Sequence, residues 1–256
     1  MGTRPAAPAV GFAVHMSGAL PMRAPLFPIA GAILFPRAQL PLHIFEPRYR
    51  EMVRDAVDGD GHIAIIQPQL VEMPDDSDPP LYRVGCVGEI VGLEELEGGR
   101  FNIVLNGSNR FRLINEVDLD TAYRNGDLDV GAFDDREPPE LAMAQRAEVE
   151  REAQRLGDSL GLAVDWSAVS RLDDEMLVNA IAQVAPFDVS AKQALLEAET
   201  LAGRADLLVQ LMQFLRLSQG SAELQPTLQS SLRSAIREAA AAGRRWCRAL
   251  PPSAGS

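Results

Sequence analysis

The hydrophobic pattern of this chain changes once along its length, at the proline pair Pro138-Pro139. Before this pair, apolar residues form short runs separated by turn-forming residues, a pattern that is typical of β-strands. After it, apolar residues recur every three or four positions, as they do on one face of an amphipathic helix. A β-rich half followed by a helical half predicts the α+β fold class, with the two halves packed against each other.

The first half, residues 25–133, is predicted to form a small, partly closed sheet with one embedded helix. Pro47 suits the first position of that helix, and Gly59 ends it. The segment Glu97-Gly98-Gly99 between two apolar runs indicates a β-hairpin, because glycine adopts the backbone angles of a tight turn. The predicted extended segments are Ala32–Phe35, Leu40–Phe45, His62–Gln67, Leu81–Leu96, Arg100–Asn106, Asn109–Leu119 and Ala122–Val130.

The second half, residues 139–217, is predicted to form a four-helix bundle beside the sheet. The second of these helices is expected to begin near Ser170 and to end before Pro186. Ser190 together with Gln193 fits a capping box at the start of the third helix. The apolar positions of the four helices lie within Ala142–Leu160, Leu177–Val184, Ala191–Leu201 and Leu207–Leu215.

Two terminal segments flank these halves. Residues 1–24 are rich in Ala, Gly and Pro without periodicity, which predicts a disordered leader. Pro5 and Pro8 interrupt the apolar stretch that a secretion signal would need. Residues 218–256 are predicted to form a flexible tail with an arginine-rich helix, whose apolar positions are Leu228, Leu232, Ile236 and Ala239. The arginine face of this helix suits solvent, an acidic partner or a membrane surface.

The composition excludes several classes of protein. Lys192 is the single lysine and no glycine-rich loop precedes it, so the sequence lacks the phosphate-binding loop of the P-loop ATPases. No apolar run approaches the ~18 residues that a membrane-spanning helix needs. The two cysteines, Cys86 and Cys247, cannot build a disulfide framework, and they fit a reducing compartment such as the cytoplasm.

The charge distribution argues against nucleic-acid binding. Residues 46–217 carry 16 basic and 34 acidic residues, and this excess of negative charge repels phosphate backbones. We therefore expect no DNA binding, and we disfavour RNA binding.

Neither a metal site nor a catalytic centre is predicted. His15, His43 and His62 have no His or Cys at the spacing of a helical metal site. The acidic run at residues 75–78 lacks the spaced ligands and the glycine of a calcium loop. The expectation is a protein with no cofactor, no metal and no enzymatic activity.

The most specific motif begins at Pro25-Leu-Phe-Pro-Ile-Ala-Gly-Ala-Ile-Leu-Phe-Pro36 and continues with Leu40-Pro-Leu-His-Ile-Phe-Glu-Pro-Arg-Tyr-Arg50. With these segments, over about residues 25–217, the chain resembles the Lon N-terminal domain family. It is similar in particular to the bacterial proteins that consist of this domain alone. Further matching segments follow in the expected order at Tyr82–Val91, Arg100–Gly107, Arg110–Arg112 and Ala191–Glu197.

The resemblance implies a PUA-like β-subdomain joined to a helical bundle, with no catalytic residues. In full-length Lon proteases this domain binds protein substrates ahead of an ATPase and a Ser–Lys peptidase, and neither of these is expected here. Cereblon uses a similar domain to dock partner proteins. The expected function is recognition of exposed or unfolded polypeptide segments in protein quality control. The PUA-like fold leaves an RNA-binding or small-ligand-binding protein as the alternative, and the sequence does not determine the oligomeric state.

The candidate partner-binding residues are His43, Phe45, Glu46, Arg48, Tyr49 and Arg50. Arginine and tyrosine are frequent anchors in binding hot spots. In the alternative interpretation, the two arginines brace the embedded helix against neighbouring strands, and His43 is hydrogen-bonded at the sheet rim. Glu46 is expected to cap the free N–H groups at the start of the helix. The surface that binds a partner would be an unpaired strand edge or the groove between sheet and bundle.

Overall fold

The computed structural model describes residues 21–69, 78–136 and 140–219. Within these residues the chain forms six strands and six helices, which confirms the mixed α+β class. The strands are β1 (Met22–Pro28), β2 (Gln39–Ile44), β3 (His62–Pro68), β4 (Leu81–Leu96), β5 (Arg100–Val117) and β6 (Asn125–Asp129). The helices are α1 (Pro47–Asp58), α2 (Met143–Ser159), α3 (Trp166–Val169), α4 (Asp174–Val184), α5 (Val189–Glu197) and α6 (Leu201–Gln219).

Five of the strands close into a ring in the order β1, β3, β4, β5 and β6, and β6 pairs with both β1 and β5. All the pairings are antiparallel except that between β1 and β3. β2 lies outside the ring and pairs with β5. The length of β5 allows this, because its residues 101–106 pair with β2 and its residues 112–117 pair with β6. Residues 22–130 are called the barrel half below, and residues 141–219 the helical half.

Each ring strand contributes to one apolar interior, which includes Leu26, Ile66, Val87, Phe111 and Leu128. A second cluster lies where α1 packs against the sheet. Its helical members, at positions that share one face of α1, are Tyr49, Met52, Val53 and Ala56. The predicted helix from Pro47 to Gly59 and the hairpin at Glu97-Gly98-Gly99 are confirmed.

Three expectations for the barrel half were wrong. β1 begins at Met22, inside the segment assigned to the leader, because Met22, Arg23 and Ala24 pair with β6. β5 continues through residues 107–108, where two separate strands were predicted. Residues 32–35 form no strand, although their side chains alternate between the two cores. Leu34 contacts the α1 cluster, while Ile33 and Phe35 contact the core of the helical half.

Three helices of the helical half, α3, α4 and α5, are capped by aspartates that the sequence prediction did not select. α4 starts at Asp174, after the predicted Ser170, because the Asp173 side chain accepts a hydrogen bond from the Met176 N–H (2.7 Å). α5 is capped by Asp188, which accepts from the Ala191 N–H (2.7 Å), so the predicted capping box at Ser190 is wrong. The single-turn helix α3 was not predicted.

Buried polar side chains join the two halves. Arg110 of β5 is 2% exposed and forms an ion pair with Asp135 at 2.8 Å. Its guanidinium also donates to the carbonyl oxygens of Leu196 (3.0 Å) and Ala198 (2.6 Å), at the end of α5. Lys192 of α5 donates to the backbone oxygen of Gly31 at 2.8 Å, and burial lowers its pKa. The barrel half is therefore held to α5 by hydrogen bonds from charged groups, in addition to apolar contacts.

The predicted leader up to residue 20, the Pro138-Pro139 junction and the predicted tail from residue 220 lie outside the described residues. No helix in the described ranges combines the length and the apolarity that crossing a membrane requires.

Candidate functional site

One edge of β2 faces no other strand among the described residues. The opposite edge pairs with β5, from Gln39 opposite Asn106 to Ile44 opposite Phe101. Pro41 lies in the middle of β2, and proline is accepted within a sheet on an edge strand because it has no N–H to donate. The free edge therefore offers unpaired backbone groups on alternate residues of β2, which is the geometry that binds an added strand.

His43 and Phe45 lie together at the far end of this edge. Their rings are stacked with centroids 6.2 Å apart, and Phe45 is 61% exposed. The Asn102 side chain accepts a hydrogen bond from His43 Nδ1 (2.8 Å), and its amide NH₂ donates to Glu94 (2.8 Å). This polar row across β2, β5 and β4 holds the imidazole in place beside the exposed phenyl ring. The predicted hydrogen-bonded position of His43 agrees with the structure.

Glu46 and Arg48 form a surface ion pair at the start of α1 (3.2 Å). Glu46 occupies the N-cap position, but its carboxylate makes no capping hydrogen bond, so the predicted capping role is wrong. The Arg48 guanidinium lies over the Tyr49 ring, 4.5 Å from its centroid, and 3.8 Å from Asp78. Arg48 is thus exposed, and its positive charge is already stabilised by two carboxylates and one aromatic ring.

Tyr49 and Arg50 are structural residues. The Tyr49 ring is 7% exposed, packs 4.3 Å from the Phe27 ring, and has a pKa that burial raises. Arg50 donates to the Gly98 carbonyl oxygen at 2.6 Å and so attaches α1 to the β4–β5 turn. The bracing interpretation therefore applies to Arg50, and Tyr49 belongs to the core. The surface part of the predicted set is therefore His43, Phe45, Glu46 and Arg48.

Sequence reasoning did not identify the helix α4 as part of a surface groove. Met176, Ala180 and Val184 recur every four residues on α4, and Val184 is 67% exposed. With residues 36–39, which lead into β2, they line a groove of about 510 Å³ between the two halves. The only charged lining residue is Arg37, which is paired with Glu175. The amide side chains of Gln39, Asn179 and Gln183 complete the lining. This junction groove is therefore mainly apolar rather than basic, and it meets the free edge of β2 at Gln39.

A larger cavity of about 620 Å³ lies where α2, α4 and α6 begin. Its lining combines acidic and basic side chains, and Arg146 is paired with Asp174 across it. Opposite charges that neutralise one another leave no basic surface for a phosphate.

One sequence motif of catalytic serines is present, although no catalytic centre is predicted from the sequence. Gly157-Asp-Ser-Leu-Gly161 has the Gly-x-Ser-x-Gly spacing of a nucleophile elbow, which requires a turn from a strand into a helix. Here Ser159 is the last residue of α2, and its hydroxyl donates to the Leu156 carbonyl at 2.8 Å. The match therefore lies in the wrong structural context for a catalytic serine.

The other candidate chemistries also lack a site in the described part. Across residues 21–69, 78–136 and 140–219, no three His, Cys, Asp or Glu side chains are placed to hold a metal ion. Burial raises the pKa of the Cys86 thiol, which disfavours the nucleophilic thiolate.

The family assignment follows from comparison with known proteins. A family model described as the ATP-dependent protease La (LON) substrate-binding domain matches residues 23–213. The chain belongs to this family. The Lon protease 2 of Myxococcus xanthus is 26% identical over 75% of the chain, and the Lon protease of Anaeromyxobacter dehalogenans is 26% identical over 80%. The chain spans 24% and 25% of the lengths of these two relatives.

Two solved structures share the Lon N-terminal fold. The Lon N-terminal domain protein from Xanthomonas campestris superposes with a TM-score of 0.54 at 21% identity, over 74% of this chain and 98% of its own. The N-terminal domain of the Mycobacterium avium complex Lon protease gives a TM-score of 0.55 at 17% identity, over 75% of this chain and 98% of its own. At these identities the likeness concerns the fold.

Proposed function

We propose that this Lon substrate-binding domain is a non-catalytic module that binds exposed apolar segments of other polypeptides, in cytoplasmic protein quality control. The closed ring corresponds in this proposal to a PUA-like subdomain, and α2, α4, α5 and α6 correspond to a four-helix bundle. Lys192 serves to hold the halves together, and we expect neither ATP hydrolysis nor proteolysis from the chain.

The observation that carries the proposal is the free edge of β2, with exposed Phe45 at one end and the apolar junction groove at the other. An extended peptide that pairs with β2 gains backbone hydrogen bonds that do not depend on its sequence. Side chains on alternate positions of that peptide point to the same side, where they can contact Phe45 and the α4 residues. Such a surface selects extended apolar segments and tolerates many sequences.

The affinity of this surface is expected to be weak. Burying a few hundred Å² of apolar area at ~25 cal/mol per Å² gives a gross gain of several kcal/mol. Ordering a flexible peptide offsets much of it, so we expect dissociation constants of roughly micromolar or weaker. The acidic surface favours peptides with basic flanks, and salt weakens binding only modestly because the contact is mainly apolar.

The test is a titration of a fluorescent apolar peptide with basic flanks, at low and high salt. Phe45→Ser should weaken binding about tenfold, the change that corresponds to ~1.4 kcal/mol. Phe214→Ser is the matched control, because Phe214 is 72% exposed on α6, and it should leave binding unchanged. A peptide with methylated amide nitrogens on alternate residues should also bind weakly, because it cannot pair with β2.

A short RNA is titrated under the same conditions. Tight RNA binding that weakens steeply with salt, together with no binding of any apolar peptide, would establish the RNA-binding alternative. Equal effects of the Phe45 and Phe214 substitutions would show that peptides bind elsewhere on the domain.

A further inference from the structure

The helical half contains a second apolar groove, which shares Ala180 and Val184 with the junction groove. α2, α3 and α4 enclose a cavity of about 180 Å³ whose lining consists of apolar residues and one glycine. Trp166 of α3 forms part of the lining, and Val184 of α4 continues it onto the exposed surface. The main lining side chains are Leu156, Leu160, Trp166, Val169, Ile181 and Val184. Covering an open groove of this composition with an apolar segment removes apolar surface from water and lowers the free energy.

The last described helix ends near this groove. Gln145, early in α2, donates to Asp206, early in α6 (2.6 Å), and Glu152 lies 3.6 Å from Arg216 near the end of α6. The two helices therefore run in the same direction. Since Leu156 and Leu160 follow Glu152 on α2, the end of α6 lies at the same end of the helical half as the groove.

The sequence after α6 suits an apolar groove. Apolar residues at 228, 232, 236 and 239 follow helical spacing, and the segment carries Arg233 and Arg237 between them. The eight residues 220–227 can span up to about 27 Å when extended, so residue 228 can lie anywhere within about that distance of the end of α6.

The charges around the groove complement this segment. Exposed aspartates 158, 165 and 173 each adjoin a lining residue. Hydrogen bonds from Ser167 lower the pKa of Asp165, which keeps it ionised. Two arginines also adjoin the lining, Arg155 and Arg171, and Arg155 is paired with Glu152 at 2.7 Å. The rim is therefore acidic overall, and residues 218–256 carry five arginines against two glutamates.

We propose that residues 228–239 of the same chain cover this groove, with Leu232 and Ile236 against Trp166 and Val184. The arginines of the segment then face the acidic rim. In this arrangement the chain covers its own groove together with Val184, and the free edge of β2, Phe45 and the rest of the junction groove remain the surface for other polypeptides. The test of this inference uses no peptide ligand, so its failure can be distinguished from a failure of the proposed function.

Trp166 provides the measurement. The chain has two tryptophans, so full-length protein with Trp246→Phe has Trp166 as its single emitter. Leu232→Asp with Ile236→Asp should shift this emission to longer wavelength and increase its quenching by acrylamide. Ser230→Asp with Ser234→Asp is the matched control, since it adds the same charge at polar positions, and it should leave both values unchanged.

A crosslink tests the contact directly. With Cys247→Ser, the pair Val184→Cys and Ile236→Cys should form a disulfide within one chain on mild oxidation, detected by mass and by gel mobility. Leu119→Cys replaces Val184→Cys in the control, because Leu119 is exposed on the barrel half, and it should give little crosslink.

Equal acrylamide quenching in the variant with Leu232→Asp and Ile236→Asp and in its control with Ser230→Asp and Ser234→Asp would overturn the proposal. Protection of Trp166 that increases with protein concentration, or a disulfide only between chains, would assign the groove to a second copy and would also overturn it.

Discussion

The ring of the barrel half and the α2–α3–α4 region of the helical half bury their apolar residues to different extents. In the ring, Leu26, Phe111 and Leu128 are fully enclosed, whereas Trp166, Val169 and Ile181 of the helical half remain partly exposed around an open cavity. In a closed ring, backbone hydrogen bonds on both sides hold each strand about 4.8 Å from its neighbours. The interior of so small a ring has room only for side chains, which fill it. Short helices joined by turns have no such bonds between them, and their spacing depends on which side chains meet.

The comparison shows where this domain is rigid and where it can yield. In the ring, a larger side chain meets backbone atoms that are fixed by hydrogen bonds. Around the cavity, it meets side chains that can move aside. Arg110 is buried between the two halves and contacts both, so its substitution should lower the stability most.

Arg110→Met should lower the free energy of unfolding by about 3–5 kcal/mol, because the buried Asp135 carboxylate loses its charged partner and keeps only the backbone N–H of residue 110. Urea unfolding followed by circular dichroism and by tryptophan fluorescence measures this loss and shows whether the halves still unfold together. In the wild type we expect the two probes to give one coincident transition.

Arg112→Met is the control for this prediction. Arg112 lies two residues after Arg110 on β5 and is exposed, so its substitution should lower the free energy of unfolding by less than about 0.5 kcal/mol. Adding Asp135→Leu to Arg110→Met should restore part of the stability, since no unpaired charge then remains. Equal losses for the two arginine substitutions would contradict the role of the Arg110–Asp135 pair.

Gly107→Ala should destabilise by about 3 kcal/mol, because the added Cβ would overlap the backbone oxygen of Phe35. Gly157→Ala, beside the cavity, places its Cβ 3.0 Å from the Trp166 ring, which can move outward. Alanine also gains about 1 kcal/mol over glycine within a helix, so the net change there should be close to zero. Thermal unfolding of the two variants gives the comparison, and similar losses at both sites would show that the groove is as rigid as the ring.

Asp188→Ala should cost about 1 kcal/mol, because the first turn of α5 loses its capping hydrogen bond. Ser190→Ala should change the stability by only a few tenths of a kcal/mol, since Ser190 lies within the first turn of the helix and makes no cap. Urea midpoints at constant m-value measure both. A larger loss for the serine variant would reinstate the capping box at Ser190.

Phe45→Ser and Phe214→Ser should each change the free energy of unfolding by less than about 0.5 kcal/mol, because both rings are largely exposed. The measurement is again urea unfolding, and it shows that a binding defect of the Phe45 variant comes from the surface. A loss of several kcal/mol for Phe45→Ser would mean that the ring supports the end of β2.

The candidate site could be located from the sequence only as a segment. The six candidate residues within 43–50 follow closely along the chain, yet the structure divides them between surface and core. Tyr49 lies on the α1 face that carries Met52 and Val53, so its burial is visible in the helical spacing itself. Arg50 could not be assigned in this way, because its partner, the Gly98 carbonyl, is 48 residues away along the chain.

The sequence by itself determined the features that depend on near neighbours. Pro47 and the spacing of the apolar residues after it set the helix α1, and adjacent glycines at positive φ, 78° and 69°, set the β4–β5 turn. The order of a β-rich half and a helical half could likewise be predicted, because the hydrophobic periods of strands and helices are each visible within short segments of the sequence.

The tertiary structure decided which edge of the sheet stays free and where the groove lies. β5 is long enough to pair with both β2 and β6, and only the closure of the ring leaves β2 on the outside. The exposure of Val184 depends in the same way on how α4 packs between α2 and the segment before β2. These contacts join residues far apart in the chain, so they follow from the packing of whole elements and leave no local pattern in the sequence.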